Sequence, residues 1–272
     1  ASITTKKGSS GKPKISVDLT GSFQNVGKYT DVMNASEFTD FLNKYIARNT
    51  ALDGDVIRAA ALRGADTDWQ KEIYRTAWTE EINASVAGGV KGGKTGTFNG
   101  MPYRIGAGFL NNDGTLKETN MNRGTISVNL TPKLIDERLT INLNAKGVIT
   151  NNNFGETGAI GAAVQYAPTL PVYDANGING YTAWLTNGSA NTMATQNPIA
   201  MIAATDNTSK VKRFVGNAQF DYKFKFLEGL RANLNLGLDV SSSDGTNTVA
   251  RGSEKSFHDT SENGAGSTTE YG

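Results

Sequence analysis

The chain has 272 residues, with 27 basic against 26 acidic side chains and a formal net charge of +1, so no strong field of either sign points to nucleic acid as a partner. It contains no cysteine and one histidine, which removes disulfides and thiolate sites and disfavours histidine-based metal or acid–base chemistry; no cofactor is expected. Hydrophobic residues make up 38%, below the roughly 45–50% of a globular domain, and no apolar run approaches the roughly 18 residues of a membrane helix. The opening ASITTKKGSSGKPK lacks the apolar stretch of a signal peptide, as would any mature or truncated chain.

In chain order, alternation of apolar and polar residues predicts a first strand near 13–25, where Ile15, Val17, Leu19 and Phe23 interleave with Ser16, Asp18, Thr20 and Ser22. The connection 26–78 carries two helical patterns. In NASEFTDFLNKYIAR (34–48), Phe38, Phe41, Leu42 and Tyr45 recur at helical spacing behind an Asn34/Glu37 capping box. In TDWQKEIYRTA (67–77), Trp69, Ile73 and Ala77 share a face, with Thr67 and Gln70 as caps. Further strands follow near 79–90, 101–111, 122–132 and 138–150. A third weak helix runs through 158–167. Two more strands follow, Phe214 to Phe226 and Leu230 to Val240, joined by Leu227-Glu228-Gly229. Strands in soluble proteins usually stop after about 5–6 residues; these run to about a dozen, close to the length that crosses a bilayer at a tilt.

Alternation fits two architectures. In a soluble β-sandwich the apolar faces meet each other; in a membrane barrel they meet lipid while the polar faces line a wet interior. Strand length and low hydrophobic content favour an all-β, antiparallel transmembrane barrel. So does the placing of most short joins at one end of the strands and long loops (26–78, 151–208, 241–272) at the other. Small wet-face residues (Gly106, Gly108, Ser127) suit a plugged or open lumen. The alternative is a soluble or surface-exposed β-rich carbohydrate-binding or adhesion module.

Four motifs invite chemistry. Gly88, Gly93, Lys94 and Thr95 fit the P-loop expression, but Gly96, Gly100 and Pro102 deny the helix that a phosphate site needs, so 88–95 reads as a turn. Asp174, Asn176 and Asn179 resemble a calcium loop without its terminal glutamate and read as an Asn-Gly turn. His258, beside Asp259 and near Ser256 and Ser261, lacks an oxyanion hole and reads as a solvated histidine. Tyr166, Tyr173, Tyr181 and Trp184 cluster in the fifth connection; their rings are candidates for stacking on sugars, against the plainer reading that they hold the loop together. Phe214, Tyr222, Phe224 and Phe226 suggest an interfacial aromatic girdle. No catalytic residue is assigned, and an enzyme is not expected.

The ordered series ITTKKGSSGKPKISV (3–17), NASEFTDFLN (34–43), TDWQKEIYRTA (67–77), INASVAGGVKGG (82–93), YRIGAGFLNNDGTLKETNMNR (103–123) and APTLPVYDANG (167–177) resembles SusC/RagA-type TonB-dependent outer-membrane transporters. The resemblance implies a plug–barrel junction at 1–12 and, over 13–272, about seven strands of a barrel of about 22. It further implies a place in the bacterial outer membrane and an intact protein that imports oligosaccharides or peptides. TonB would act through a region N-terminal to this chain, and a SusD-like surface lipoprotein would cover the face formed by 26–78, 112–121, 151–208 and 241–272.

Overall fold

The computed structural model describes residues 8, 11–259 and 264–272, so the expected plug junction falls almost wholly outside the described residues. β1 (Lys14–Gln24) is followed by α1 (Ala35–Arg48), α2 (Gly54–Ala61) and α3 (Trp69–Ile73). Next come β2 (Ala77–Lys91), β3 (Phe98–Asp113), β4 (Asn120–Leu130), the short β5 (Lys133–Leu134) and β6 (Leu139–Asn153). The next connection contains α4 (Gly158–Gln165), β7 (Tyr173–Ile178), β8 (Leu185–Thr186), β9 (Ser189–Ala190) and α5 (Pro198–Ala204). β10 (Thr205–Lys223), β11 (Arg231–Val249), α6 (Glu254–Asp259) and β12 (Ser267–Tyr271) complete the order. One antiparallel sheet runs β1-β2-β3-β4-β6-β10-β11-β12, each long strand beside its neighbour in sequence.

Register aligns the side chains of the seven long strands into rows. Val17, Ala84, Ala107, Ile126, Gly147, Phe214 and Val240 form one apolar row, and Ile15, Val86, Ile105, Val128, Ala145, Gly216 and Leu238 the next. Between them, on the opposite face, run Ser16, Ser85, Gly106, Ser127, Lys146, Val215 and Asp239. The apolar side spans Phe214 to Tyr222 in β10 and Ala232 to Val240 in β11, about the 9–11 residues that a tilted strand needs to cross hydrocarbon. Above it, Glu80, Asn111, Asn122, Asn151, Lys210 and Asp244 make a polar collar.

Nothing covers the apolar side. Ile15 is 78% exposed and Leu234 55%, and the one other sheet among the described residues is the two-residue ladder β8–β9. A sandwich would bury these side chains against a second layer; here they await another solvent. The wet face instead pairs its polar groups with each other. The Arg213 guanidinium donates to both Asp239 oxygens at 2.9 and 2.5 Å, Arg231 pairs with Asp221 at 2.8 Å, and Asn217 donates to Asn235.

Four strand boundaries differ most from the sequence reading. The stretch 241–249, expected in a polar loop, is strand, as are 151–153 and 205–208. There both faces are wet, so the ladder persists through Thr, Ser and Asn without hydrophobic alternation, as in the Thr208–Thr246 hydroxyl contact at 3.1 Å. Conversely, β10 ends at Lys223, and Phe224 and Phe226 lie in the turn, where the Phe224 amide donates to the Leu230 carbonyl. Tyr222, Phe224 and Phe226 still stack edge-on at 5.1 and 5.3 Å by the short-turn rim, whereas Phe214 sits at the opposite, outer end of the apolar side of β10.

An arginine at the midpoint of the apolar side should cost about 2–4 kcal/mol, and one on the wet face little. Leu236→Arg is therefore expected to lower folding into lipid vesicles sharply, while Asn235→Arg folds nearly as the parent does, both measured by denaturant titration of the vesicle-inserted barrel protein.

Candidate functional site

All long connections gather at one end of the sheet, where their helices build the chain's principal hydrophobic core. Trp69 and Ile73 of α3, Leu116 of the β3–β4 turn, Ala159, Ala162, Ala163 and Tyr166 from α4 and its cap, Leu170, and Ile199, Met201 and Ile202 of α5 pack as one cluster. Leu42 and Ile46 of α1 with Ala61 of α2 form a second, and Phe38 and Trp184 touch both. The expected capping box starts α1: the Asn34 side chain accepts from the Glu37 amide, and the Glu37 carboxylate accepts from the Asn34 amide, both at 3.0 Å. α1 leaves Phe41 and Tyr45 exposed and stacked, 6.4 Å apart.

α3 is shorter than the sequence pattern and is capped by Asp68. The two expected caps do other work. The Thr67 hydroxyl donates to the Leu170 carbonyl at 2.7 Å, and the Gln70 amide clasps the backbone N–H and C=O of Thr30. Arg75 braces the β3–β4 turn through the carbonyls of Gly114 and Thr119 and through Asp113 at 3.4 Å.

The four candidate aromatic residues separate into two roles. Tyr166 is 4% exposed, packs edge-on against Trp69 at 4.8 Å and donates its hydroxyl to the Thr182 carbonyl. Burial raises its pKa, and it has no face to offer a ligand. Trp184 lies partly buried between the two clusters. Tyr166 and Trp184 thus pack into the loop body, as the plainer reading of the cluster has it. Tyr173, 66% exposed, and Tyr181 remain as a surface pair with centroids 5.3 Å apart.

A tight hairpin presents this pair. Asn179 and Gly180 turn the chain with φ of 51° and 80°, and the Asp174 amide donates to the Gly180 carbonyl. Any Cβ at Gly177 would stand 1.8 Å from the Tyr181 carbonyl oxygen, so only glycine fits. Asp174, considered for calcium, accepts from Arg63 at 2.7 Å, which draws its pKa down and occupies it as an ion-pair partner.

Sequence reasoning missed the hub of the site. Asn197 is fully buried at the N-cap of α5. Its Nδ2 donates to the carbonyls of Val172 and Thr182, its Oδ1 accepts from the amides of Ile199 and Ala200, and its own N–H donates to Glu254 Oε2 at 3.0 Å. Asn197-Pro198 is a cap-and-first-turn signature visible in the sequence; the Glu254 partner, 57 residues away, is not. Beside it, Lys255 bridges Glu156 and Asp259, each at 3.3 Å. His258 is half-buried in α6, not solvated, and burial lowers its pKa. Ser256 is fully buried, with its hydroxyl turned to the carbonyls of Ser253 and Gly264, and no triad forms among the described residues; Ser261 lies outside them. The P-loop-like stretch spans the end of β2 and its tight turn to β3, with no helix behind it.

An open, single-layer sheet with an uncovered apolar band, a polar opposite face and loops massed at one rim defines a segment of a transmembrane β-barrel. No protein-family model matches the chain. In sequence it is 34% identical to the TonB-dependent receptor SusC of Bacteroides thetaiotaomicron over 263 residues, which are 91% of this chain and 24% of that protein. It is 29% identical to the TonB-dependent receptor P3 of Formosa agariphila, covering 86% of this chain and 22% of that one. In fold it superposes on the RagAB peptide importer in its closed-closed state with a TM-score of 0.72 at 17% identity, over 98% of this chain and 32% of that one. It superposes on the RagAB peptide transporter with a TM-score of 0.70, also at 17% identity, over 91% and 30%. The chain belongs to the SusC/RagA-type TonB-dependent receptors and spans about a quarter of the length of the curated relatives it matches.

Two outcomes test the hub. Asn197→Ala removes a cap and orphans two buried carbonyls, and should destabilise the loop body by roughly 2–4 kcal/mol, read as lost hydrogen-exchange protection across α4 and α5. Burial pushes the Glu254 carboxyl up to about 7 from an unfolded value of 4.5. The neutral form therefore stabilises the folded loops, fully below about 4.5, and that contribution, on the order of 3 kcal/mol, is lost as pH rises through about 7. Protection of α5, corrected for intrinsic exchange, should fall from pH 5 to pH 8 in the parent and should not fall in Glu254→Gln.

Proposed function

We propose that this chain forms part of the barrel of an outer-membrane importer of oligosaccharides or peptides, with its loop face covered by a SusD-like surface lipoprotein and its transport driven through TonB. The observation that carries the reading is the apolar band, continuous in register over seven strands and uncovered. A surface of that height and that exposure is stable facing hydrocarbon, and the opposite face, with its ion pairs and amide contacts, is suited to a water-filled lumen. Kinship to receptors named as TonB-dependent supports the energy source, and the RagAB importer, named for peptides, supports the substrate class.

The loop body supplies the receiving surface. Helices α1 to α5 are cross-braced into one rim, on which Phe41, Tyr45 and Tyr173 stand exposed, Tyr173 beside the partly buried Tyr181. Aromatic faces of this kind stack on the apolar side of a sugar ring or on a peptide side chain. The rim also offers a broad braced surface to a partner that sits over the lumen.

The test is expression of the full-length gene in a host outer membrane, with uptake of labelled oligosaccharides and peptides in matched strains. Energy-dependent uptake that disappears with TonB or with the neighbouring lipoprotein gene is expected; a protein that fractionates as soluble would overturn the reading. Tyr173→Ala, at the exposed ring of the pair, should raise the half-saturating substrate concentration several-fold, on the order of tenfold, with folding unchanged.

A further inference from the structure

Beside Tyr173 lies a pocket of about 330 Å³ in which the packing of the loop body leaves several polar groups unused. Ile199, Ile202 and Ala203 of α5 and the Tyr173 ring supply its apolar lining. Its polar lining comes from the β3–β4 turn (Lys117, Glu118), the end of β6 (Asn153) and the start of β10 (Asp206). The turn is fixed by the Lys117 amide on the Ile73 carbonyl at 3.0 Å and by the Gly155 amide on the Thr119 hydroxyl at 3.2 Å, and Glu118 stands at its corner with φ of 59°. Asn153 and Asp206 continue the outward alternation of β6 and β10, one and two rows beyond the collar residues Asn151 and Lys210. The pocket therefore belongs to the outer flank of the sheet, beside the mouth of the lumen.

The polar lining has no partners of its own. Among the described residues the side chains of Lys117, Glu118, Asn153 and Asp206 make neither a hydrogen bond nor an ion pair, whereas Arg75 with Asp113 and Lys255 with Glu156, elsewhere in the loop body, are paired. One ammonium, two carboxylates and an amide thus share a pocket with an apolar lining. A neutral sugar would cover three full charges without offering an opposite charge, which costs desolvation. A lone anion would meet the carboxylates, and a lone metal cation the lysine. A group that brings an ammonium, a carbonyl and an apolar side chain together answers the whole lining. We propose that this pocket holds the unblocked amino-terminal residue of a peptide: its α-ammonium at Asp206 and Glu118, its carbonyl oxygen at Lys117 and the Asn153 amide, its side chain against Ile199, Ile202 and Tyr173. The volume is near the lower end of the roughly 300–1,000 Å³ of ligand pockets, so the site takes the end of a peptide and leaves the rest outside. This goes beyond the import reading, because the peptide end is captured on the flank and the path through the lumen is not involved.

The test uses the full-length barrel protein in detergent and the peptide Leu-Gly-Gly carrying a fluorophore at its carboxyl end, set against the same peptide N-acetylated, with fluorescence anisotropy as the readout. A hydrogen bond to a charged group contributes about tenfold in affinity. The free amine should therefore bind about tenfold tighter than the acetylated form at pH 7, and that advantage should disappear as pH rises through about 8, where an α-amine loses its proton. Asp206→Asn with Glu118→Gln should bring the free amine down to the level of the acetylated form. Lys117→Gln should weaken both forms about fivefold, and Ala203→Trp, at an exposed position of α5, should abolish both by filling the pocket. Glu228→Gln, exposed at the opposite rim, should change neither. Equal binding of the two peptides by the parent, or an amine preference that survives Asp206→Asn with Glu118→Gln, overturns the site, as does binding indifferent to Ala203→Trp. A labelled neutral oligosaccharide that binds the parent and not Ala203→Trp would place a sugar here and overturn the amine assignment. Each of these results leaves the import reading to its own uptake assay.

Discussion

A single-layer sheet cannot keep both faces in water when one of them is lined with Ile, Leu, Val and Phe. That mismatch is the constraint from which the other features follow. Each row of the apolar band would contribute at about 25 cal/mol per Å² if covered, yet the strands present it outward and gather their packing at the loop end. The same medium that accepts those side chains refuses backbone N–H and C=O groups, so it permits a sheet only when every edge is paired. The described sheet is open, with β1 at one edge and β12 at the other. In hydrocarbon each edge needs a further strand, which agrees with relatives several times longer than this chain.

The wet face fixes the orientation from the other side. Exposed ion pairs such as Arg213–Asp239 contribute little stability, about 0–1 kcal/mol, so they do not explain why the strands associate. Their weight is as a penalty: an arginine turned toward the bilayer midplane costs about 2–4 kcal/mol. With period-2 alternation, a slip of one residue in β10 would put Arg213, Asn217 and Asp221 into lipid and leave Asp239 and Asn235 of β11 without their partners on the wet face. Register is therefore held by two opposed solvents, with the short turn 224–230 closing the pair.

How much of this was legible in the sequence follows the same division. Within the band, hydrophobic alternation names the face of each residue, and the strands 13–25 through 138–150 are recovered to within a few positions. Outside it, 205–213 and 241–249 continue the ladder with both faces wet, and the signal vanishes although the hydrogen bonds do not. α1 was legible because a capping box and an amphipathic stripe coincide; α2, α5 and α6 are too short to carry a period. The aromatic cluster was legible as a cluster but not as roles. Nearness in sequence could not tell that Tyr166, on the buried side of α4, turns into the core while Tyr173, on a hairpin, turns out. The Asn197–Glu254 contact joins two connections separated by strands β10 and β11, and no local pattern encodes it.

The loop body is not a set of appendages. α5 passes directly into β10 at Ala204–Thr205, the Ala250 amide after β11 donates to the Ala204 carbonyl, and the Thr205 hydroxyl and Lys255 converge on Glu156. The extended ends of β10 and β11 thus act as posts that carry the helices above the band, and a displacement of α5 has to break the Asn197 hub or bend both strands. Few anchors hold the outer hairpins: β7 is tied by Arg63–Asp174 and by the inner edge of Tyr181, and β8–β9 by Trp184 at its base, which packs against both clusters. Local stability therefore decreases outward from the sheet. The parts held least are the hairpin that carries Tyr173 and Tyr181 and the one beside it, while the rim beneath them keeps its shape.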